Sequence, residues 1–479
     1  MIFSSITFLL YFLPVFLLFY FISSKEHKNT ILLLFSLLFY SWGAPQFIGI
    51  LLASTIVDFY LVHHLHHTEA PQKRKLLLGL SISLNLGLLA YFKYANFFLE
   101  NTNVVLDSFG QTAISWETIL LPIGISFYTF QTLTYSIDVY RKVHAPLQRV
   151  QDYVLYIIMF PQLIAGPIVR FNTIADELVD RTSSYDDRLL GFIRFCIGLA
   201  KKVLIANVLG AAVTDVLGTD PTLIAWHTID TPIAWYCLLA YTFQLYFDFS
   251  GYSDMAIGLG RMMGFSFPEN FDNPYVSRNI TEFWRRWHIT LGAFMREYLY
   301  IPLGGSRVST GRMYFNLWFV FLMSGWWHGA SWNFVLWGAY HGFFLIIERV
   351  FLLKTFAKLG AFGNVWSLVY CFFIVMMGWV LFFIEDLSAV GLFYEQLFAF
   401  DCRLELPYTR EFYMVLVVAL IFAFWTLVPP FKRFHDWFFF GTYSTQQILV
   451  LYLVALALLF CSIASIAAGD FNPFIYYRF

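Results

Sequence analysis

Charged residues are scarce in this sequence of 479 residues. Lys, Arg, Asp and Glu together make up 13%, against 59% hydrophobic and 21% aromatic residues. The formal net charge is −1, so no global positive field favours nucleic acid, and we exclude nucleic-acid binding. Because no long polar stretch could form a soluble domain, the composition predicts a single integral membrane domain over residues 1–479.

Cysteine is also rare, and its spacing excludes two kinds of site. The five cysteines are far apart, with no CxxC and no Cys/His spacing, so neither a disulfide framework nor a zinc site is indicated. A group of four histidines, "HHLHH" at 63–67, lies at the end of an apolar run just before "QKRK". We interpret it as a polar interfacial cap, and we expect no metal.

Long apolar runs dominate what is present. They predict roughly a dozen crossings or half-crossings, at ~20 residues per full span. The runs are long and continuously apolar, which favours helices over the short alternating strands of a barrel. They lie near 6–23, 30–43, 46–64, 76–98, 119–138, 151–168, 189–212, 231–250, 312–326, 331–348, 364–385, 411–428 and 446–467.

Basic residues predict the orientation of these runs. Basic clusters follow the first, third and fifth runs, at 25–28, 73–75 and 141–149, so those loops should be cytoplasmic. The first run has no basic n-region and no cleavage site, so it should be a retained span. Counting from the other end, "FKRFHDW" (431–437) should be cytoplasmic and the last run should exit outward. The segment 470–479 would then be extracytoplasmic.

The first cluster with chemical potential is "GWWHGASWNFVLWGAYHG", residues 325–342. It places His328 and His341 in an apolar region, where ionisable groups are costly and usually functional. Gly325, Gly329 and Ser331 predict a helix break around His328. On a helix, Trp337 and His341 would stack at i,i+4. The alternative is that the histidines only bridge helices by hydrogen bonds.

The second cluster is "NITEFWRRWHITLGAFMREYLYIPLGGSR", residues 279–307. It is too charged to span a membrane and too aromatic for a loop, which favours an interfacial amphipathic stretch. Arg285 and Arg286 could be positive-inside anchors, or could meet the phosphates of a cytosolic donor. His288 lies among them, and its alternative interpretation is a histidine that snorkels at the interface.

Two further segments have structural interpretations. Asp248 and Asp254 of "YFDFSGYSD" lie in or beside an apolar run, so they should be paired or neutral and should brace the structure. "FPENFDNPY", residues 267–275, has the turn chemistry of a connecting loop.

These motifs carry a family resemblance. "FWRRWHITL" and "WWHGASWNFVLWGAYHG", preceded by "LPIGISFYTFQTLTYSIDVYR", "FPQLIAGPIVR" and "QLYFDFSGYSDMAIGLG", resemble the membrane-bound O-acyltransferase (MBOAT) family over nearly the whole chain. The chain looks most like the bacterial branch with the alginate and peptidoglycan O-acetyltransferase membrane subunits. The resemblance implies an all-α helical bundle with re-entrant and interfacial helices around a tunnel for acyl-coenzyme A and an external funnel.

The resemblance also implies site residues. The histidine of the family's WHG motif is catalytic and corresponds to His328, and the histidine of its WHISL-type motif corresponds to His288 in WHITL. With Trp327 and Trp332 beside the first motif and Arg285 and Arg286 in the second, these residues form the expected catalytic and donor-binding set.

The last residues, "FIYYRF" at 474–479, resemble the aromatic FxYxxF end of a membrane peptide in the related D-alanylation system. The match implies that Tyr476 carries the acyl group, although an aromatic belt at the interface is the alternative. A phenol is a better leaving group than a sugar hydroxyl, so acetyl could pass from acetyl-coenzyme A to Tyr476 and on. His328 would be the general base and His288 a candidate oxyanion donor.

The expected function is therefore an acetyl-coenzyme A-dependent O-acetyltransferase of the bacterial inner membrane. Tyr476 would pass acetyl to an extracytoplasmic serine acyltransferase that modifies a polysaccharide such as peptidoglycan or alginate. Two alternatives stay open: direct acylation of a lipid or secreted-protein hydroxyl, and a transporter without covalent chemistry.

Overall fold

The fold is helical throughout the part of the chain that can be described. A computed structural model describes residues 1–218, 224, 229–402 and 408–469. Within these ranges the extended pairing is limited to one isolated antiparallel bridge between Phe271 and Trp287. The all-α prediction is confirmed, because a helix satisfies its backbone hydrogen bonds within its own segment, as an apolar environment requires.

The chain divides into two compact units. The first unit comprises Met1–Gly191 and Ala256–Pro268, and the second comprises Phe192–Met255 and Glu269–Phe479. Two helices contribute residues to both units, α10 (Tyr185–Ala200) and α12 (Thr231–Met263). A single domain over 1–479 stays a prediction.

The first unit is built mainly from the amino-terminal helices. In this unit the ring of the buried Tyr153 packs against the ring of Tyr135, with centroids 4.3 Å apart. Its own helices are α1 (Leu13–Ile22), α2 (Lys28–Gly43), α3 (Ile48–His67), α4 (Pro71–Leu89), α5 (Ala95–Ser108), α6 (Ile125–Tyr140), α7 (Val150–Ile158), α8 (Phe160–Leu163) and α9 (Phe171–Val179).

The second unit contains both histidine motifs. Its core is rich in large aromatic side chains, including the fully buried Trp337 and Trp379. Its helices are α11 (Asn207–Leu217), α13 (Ile280–Arg286), α14 (Ile289–Phe294), α15 (Thr310–His328), α16 (Trp332–Ile347), α17 (Leu353–Lys358), α18 (Gly360–Phe383), α19 (Leu387–Leu397), α20 (Arg410–Phe424), α21 (Pro429–Phe440) and α22 (Thr445–Ala468).

Six helical stretches of the described residues are long and apolar enough to cross a membrane. This confirms a polytopic membrane protein, with fewer full-length spans than apolar runs. The other runs form shorter or more polar helices, such as the 16-residue α6 over the run at 119–138. The six stretches are Pro45–His67, Pro71–Ser108, Trp332–Lys358, Gly360–Phe383, Arg410–Leu427 and Thr445–Ala468.

Candidate active site

The predicted helix break at His328 is confirmed. Helix α15 ends at His328, Gly329 and Ser331 are extended, and α16 begins at Trp332. The two helices approach so closely that a Cβ at Gly325 would overlap the Phe334 carbonyl oxygen. Glycine at this position therefore lets the helices meet, and the imidazole of His328 is left 4% exposed at the break.

Aromatic rings enclose His328. Its ring centroid lies 4.9 Å from that of Trp327 and 5.1 Å from those of Trp337 and Phe382. Trp337 and Phe382 are both turned edge-on to the imidazole. Such a cage holds the ring in place while keeping bulk water away, so a proton transfer at His328 would occur in a medium of low polarity.

His341 extends the same aromatic cluster. Its ring lies 5.0 Å from Trp337 and 5.0 Å from Trp284, edge-on to both, so the predicted i,i+4 contact is present without parallel stacking. A Cβ at Gly378 would lie 2.7 Å from Nε2, so glycine makes room for the imidazole. In the described part of the chain neither ring nitrogen of His341 has a hydrogen-bond partner. Hydrogen-bonded bridging of helices is therefore not what holds this histidine.

His288 lies between two short helices. α13 ends at Arg286, Trp287 is extended, and His288 itself adopts a left-handed conformation (φ 47°, ψ 53°) before α14 begins. Few residues other than glycine adopt this conformation, and it costs of order 1–3 kcal/mol. The side chain is 1% exposed. The alternative of an interfacial snorkelling histidine is therefore wrong.

Trp327 brings the two motifs together. Its indole centroid is 4.9 Å from the ring of His328 and 6.3 Å from the ring of His288. The two histidines are 40 positions apart in the sequence, yet they contact the same side chain. The pair expected from the family resemblance therefore lies at one place in the second unit.

Burial makes His288 hard to protonate. Removal of the imidazole from water lowers its pKa from 6.5 to about 3. Its Nδ1 lies 3.0 Å from Oδ1 of the buried Asn270. His288 is consequently a neutral imidazole at any physiological pH, able to use one nitrogen as donor and the other as acceptor.

The helix that leads to His288 is held at its amino terminus. The Asn279 side chain accepts a hydrogen bond from the Glu282 N–H at 2.8 Å. Both carboxyl oxygens of the fully buried Glu348 accept from the Ile280 N–H at 2.9 Å. This contact satisfies one of the backbone N–H groups that a helix leaves unpaired at its amino end. Glu348 thus ties α13 to the segment that continues α16.

The two arginines beside His288 differ in their surroundings. Arg285 is exposed. Arg286 forms ion pairs with Asp272 and Glu282, each at 3.1 Å. Of the two tryptophans expected at the donor site, Trp327 is buried, whereas Trp332 at the start of α16 is 51% exposed. Donor binding by these four residues stays a prediction.

The two buried aspartates of α12 are paired, as the sequence predicted. Asp248 lies 2.8 Å from the Lys202 ammonium. Asp254 lies 2.6 Å from both Arg194 and Lys201. These pairs lock α12 to the helix that carries the cations, so the aspartates brace the second unit.

The predicted acyl carrier, Tyr476, lies with the segment 470–479 outside the described residues. Gly469, just before that segment, lines a cavity of about 390 Å³ together with Asn207, Asp215 and Glu411. The end of α22 and the start of α20 therefore border one cavity.

One residue near His288 was not singled out by the sequence. Asn270 belongs to "FPENFDNPY", which forms the predicted connection without regular helix until Pro274. Asparagine is common in turns, so there was no reason in the sequence to look beyond a turn for its two asparagines. Asn270 is 0% exposed, but no sequence pattern distinguished it from a surface turn residue. Trp284 and Phe382 were missed for a similar reason, because aromatic residues are common throughout the chain.

A metal site was not expected. Among the residues that the structure describes, no three His, Cys, Asp or Glu side chains are grouped so as to hold a metal ion. The rings of His63 and His67 in the "HHLHH" group contact each other at a tilt, with ring centroids 4.6 Å apart.

Comparison with known proteins finds a family model and several relatives that match this chain. The family model of the membrane-bound O-acyltransferases matches residues 149–384, a range that includes both histidine motifs. A probable alginate O-acetylase of Pseudomonas putida is 39% identical, with 100% of each chain covered. A peptidoglycan O-acetyltransferase of Helicobacter pylori is 36% identical over 81% of this chain and 78% of its own length. A teichoic acid D-alanyltransferase of Streptococcus thermophilus is 27% identical over 54% and 65%.

Proposed function

The chain belongs to the membrane-bound O-acyltransferase family, and we propose that it moves acetyl from cytosolic acetyl-coenzyme A across the inner membrane for O-acetylation of an envelope or exported polysaccharide. The observation that carries this proposal is the contact of Trp327 with both His288 and His328 in a buried aromatic cluster. Two relatives bear the names alginate O-acetylase and peptidoglycan O-acetyltransferase, which supports a polysaccharide as the final acceptor. The transporter alternative is set aside, because the family consists of acyltransferases.

The first step is transfer of acetyl to a phenol. The Tyr476 hydroxyl attacks the thioester carbon while His328 removes the phenolic proton. Hydrogen-bond donors stabilise the oxyanion, the C–S bond then breaks, and the coenzyme A thiolate leaves and takes up a proton. The products are an acetyl ester on Tyr476 and free coenzyme A.

The second step takes place outside the membrane. A serine hydroxyl of an extracytoplasmic acyltransferase attacks the aryl ester, and the phenol of Tyr476 is regenerated. The pKa of the leaving group rises along the relay, from the thiol (~8.5) to the phenol (~10) to an alkyl hydroxyl, so each successive ester has a poorer leaving group. The relationship to a D-alanyltransferase supports a shared carrier chemistry.

Arg285 is the residue best suited to the donor. It is exposed on α13, close in sequence to His288, and its guanidinium can bind phosphate in a bidentate manner. Arg286 is held by Asp272 and Glu282, so we expect its main contribution to be the positioning of α13. Trp327 and Trp332 would border the acetyl end of the donor.

The experiment follows acetyl on the protein itself. Purified protein is incubated with acetyl-coenzyme A, released coenzyme A is measured, and the carboxy-terminal peptide is analysed by mass spectrometry. We expect acetyl on Tyr476, loss of this product and of coenzyme A release in His328→Ala, and loss of the acetyl-peptide in Tyr476→Phe. Tyr477→Phe is the matched control, because it removes the neighbouring phenol and should retain the product.

Two results would contradict the proposal. Normal polysaccharide acetylation in cells carrying Tyr476→Phe would remove the relay and favour direct acylation of a lipid or secreted-protein hydroxyl. If the wild-type protein does not release coenzyme A from acetyl-coenzyme A, then acetyl-coenzyme A is not the acetyl donor.

A further inference from the structure

Asn270 is a buried polar partner of His288. Its side chain is fully buried, and its Oδ1 lies 3.0 Å from Nδ1 of His288. The same oxygen accepts from the Thr290 hydroxyl at 2.9 Å and from the Thr290 N–H at 3.4 Å. Its Nδ2 donates to the Ser253 hydroxyl at 3.0 Å. A single amide therefore connects His288 with both α12 and the first turn of α14.

The orientation of this amide follows from its neighbours. A backbone N–H can only donate, so the atom of Asn270 that faces the Thr290 N–H has to be the oxygen. The nitrogen then points to the Ser253 hydroxyl, which can accept. Rotating the amide by 180° would place an NH₂ group against the Thr290 N–H and lose that hydrogen bond.

The amide orientation determines which nitrogen of His288 carries the proton. An amide oxygen has only lone pairs, so Nδ1 must be the protonated nitrogen that donates to Oδ1. In a neutral imidazole the lone pair then resides on Nε2. The imidazole of His288 therefore donates a hydrogen bond through Nδ1 and can accept one through Nε2.

We propose that Asn270 is a positioning residue that fixes His288 in the Nδ1–H tautomer, so that Nε2 serves the reaction as a hydrogen-bond acceptor. This role rests on the proposed function, because Trp327 contacts both His288 and His328, the proposed general base. It changes the role expected from the sequence, since a neutral imidazole in this tautomer cannot donate from Nε2 to an oxyanion. Oxyanion stabilisation then has to come from other donors.

The backbone around His288 shows that Asn270 holds the ring as well as its tautomer. The Ile289 N–H donates to the Asn270 carbonyl at 3.0 Å, and Phe271 pairs with Trp287 in the isolated bridge. Together these contacts hold His288 at a φ of 47°, a conformation that persists only where the surroundings determine it. Phe249, edge-on at 4.7 Å, limits rotation of the imidazole.

The direct test measures the tautomer in the full-length protein. Histidine is labelled with ¹⁵N, and the His288 signals are identified by their absence in His288→Asn. The two ring nitrogens of a neutral imidazole give separate signals, so the experiment shows which one bears hydrogen. We expect hydrogen on Nδ1 in the wild-type protein, and hydrogen on Nε2 would overturn the proposal without any activity measurement.

Two variants of Asn270 test the consequence for catalysis. Asn270→Asp keeps an acceptor oxygen toward Nδ1, whereas Asn270→Leu has a similar size and no acceptor. We expect Asn270→Leu to lose the uniform tautomer and to lower kcat by about 10²-fold, in the range that a mispositioned polar group at the reacting centre costs, with little change in KM for acetyl-coenzyme A. Asn270→Asp should retain the Nδ1–H signal and a larger share of kcat.

Asn273→Gly is the matched control. Asn273 belongs to the same connection as Asn270 and has a positive φ, as His288 does. Its Nδ2 lies 3.0 Å from Nε2 of a different histidine, His435. Its replacement should leave the His288 tautomer and kcat unchanged. If Asn270→Leu and Asn273→Gly lowered kcat equally while the Nδ1–H signal stayed in both, Asn270 would have a merely structural role. If the tautomer is confirmed and Tyr476 is never acetylated, only the relay is wrong.

Discussion

Two buried polar clusters, one in each unit, are built in opposite ways. In the first unit, the carboxyl of Asp58 is surrounded by donors: Tyr153 at 2.6 Å, Ser81 at 2.5 Å and Asn85 at 3.0 Å. In the second unit, the rings of His328 and His341 are surrounded by tryptophan and phenylalanine. Hydrogen bonds satisfy the buried carboxyl of the first cluster and so contribute to stability, whereas the histidines of the second cluster lie in an apolar environment where ionisable groups are costly.

The largest effect that separates the two clusters should come from Asp58→Ala. The substitution leaves several buried donors without their acceptor, and each orphaned group costs ~1–3 kcal/mol, so we expect a loss of about 3 kcal/mol or more. Thermal unfolding in detergent measures this loss, and the folded fraction should keep normal acetyl-transfer activity per molecule. His328→Ala should show the reverse, with normal stability and no activity.

The control for Asp58 lies in the same unit. Asp107 is an exposed aspartate on α5, and Asp107→Ala should change neither stability nor activity. If Asp58→Ala unfolded at the wild-type temperature and abolished transfer, the carboxyl would have a catalytic role and the contrast between the clusters would disappear.

An intermediate effect is expected from pH, acting through His288. Its pKa is lowered from 6.5 to about 3, so the unfolded chain binds a proton on His288 below pH 6.5 that the folded chain rejects. Stability from this group is therefore complete above pH 6.5 and is lost as the pH falls toward 3, by about 2 kcal/mol between pH 7 and pH 5. His288→Asn cannot titrate and tolerates a positive φ, so its unfolding temperature should fall less steeply over that range.

The pH experiment also has a clear contrary outcome. Equal pH slopes for the wild type and His288→Asn would mean that the imidazole titrates normally in the folded protein. Protonation within the pH 5–8 range would then contribute to the pH profile of acetyl transfer.

The smallest effect should come from Glu348→Gln. Gln retains one acceptor oxygen for the Ile280 N–H but loses the second one, at a cost of about 1 kcal/mol. Because α13 leads directly to His288, kcat should fall roughly fivefold, the factor that 1 kcal/mol represents. Kinetics of coenzyme A release measure this change.

The neighbouring Arg349→Gln serves as its control. Like Glu348→Gln, Arg349→Gln replaces an ionisable side chain of this helical turn with Gln, and it should leave kcat unchanged. An equal loss of activity in both variants would indicate a general electrostatic effect of the segment and not an anchored helix.

Much of the site was predictable because its signals are local. His328 and His341 were singled out because they are ionisable residues inside an apolar run, and two glycines and a serine predicted the break at His328. The contact between Trp337 and His341 follows from helical periodicity alone. The burial of His288 was not predictable in this way, because the flanking arginines give its segment the composition of an interface. Asn270 was missed, since its amide is chemically the same as that of any turn asparagine.

The sequence by itself determined the helices, the membrane-spanning stretches and the break beside His328, because backbone hydrogen bonds within a helix and the thickness of a bilayer constrain each segment independently. Only the tertiary structure decided that Trp327 contacts both histidines, that Glu348 anchors α13 and that Asn270 faces Nδ1 of His288. Apart from the sequence neighbours Trp327 and His328, these contacts join residues 18 to 68 positions apart, and hydrogen-bond direction and burial exist only once such residues meet.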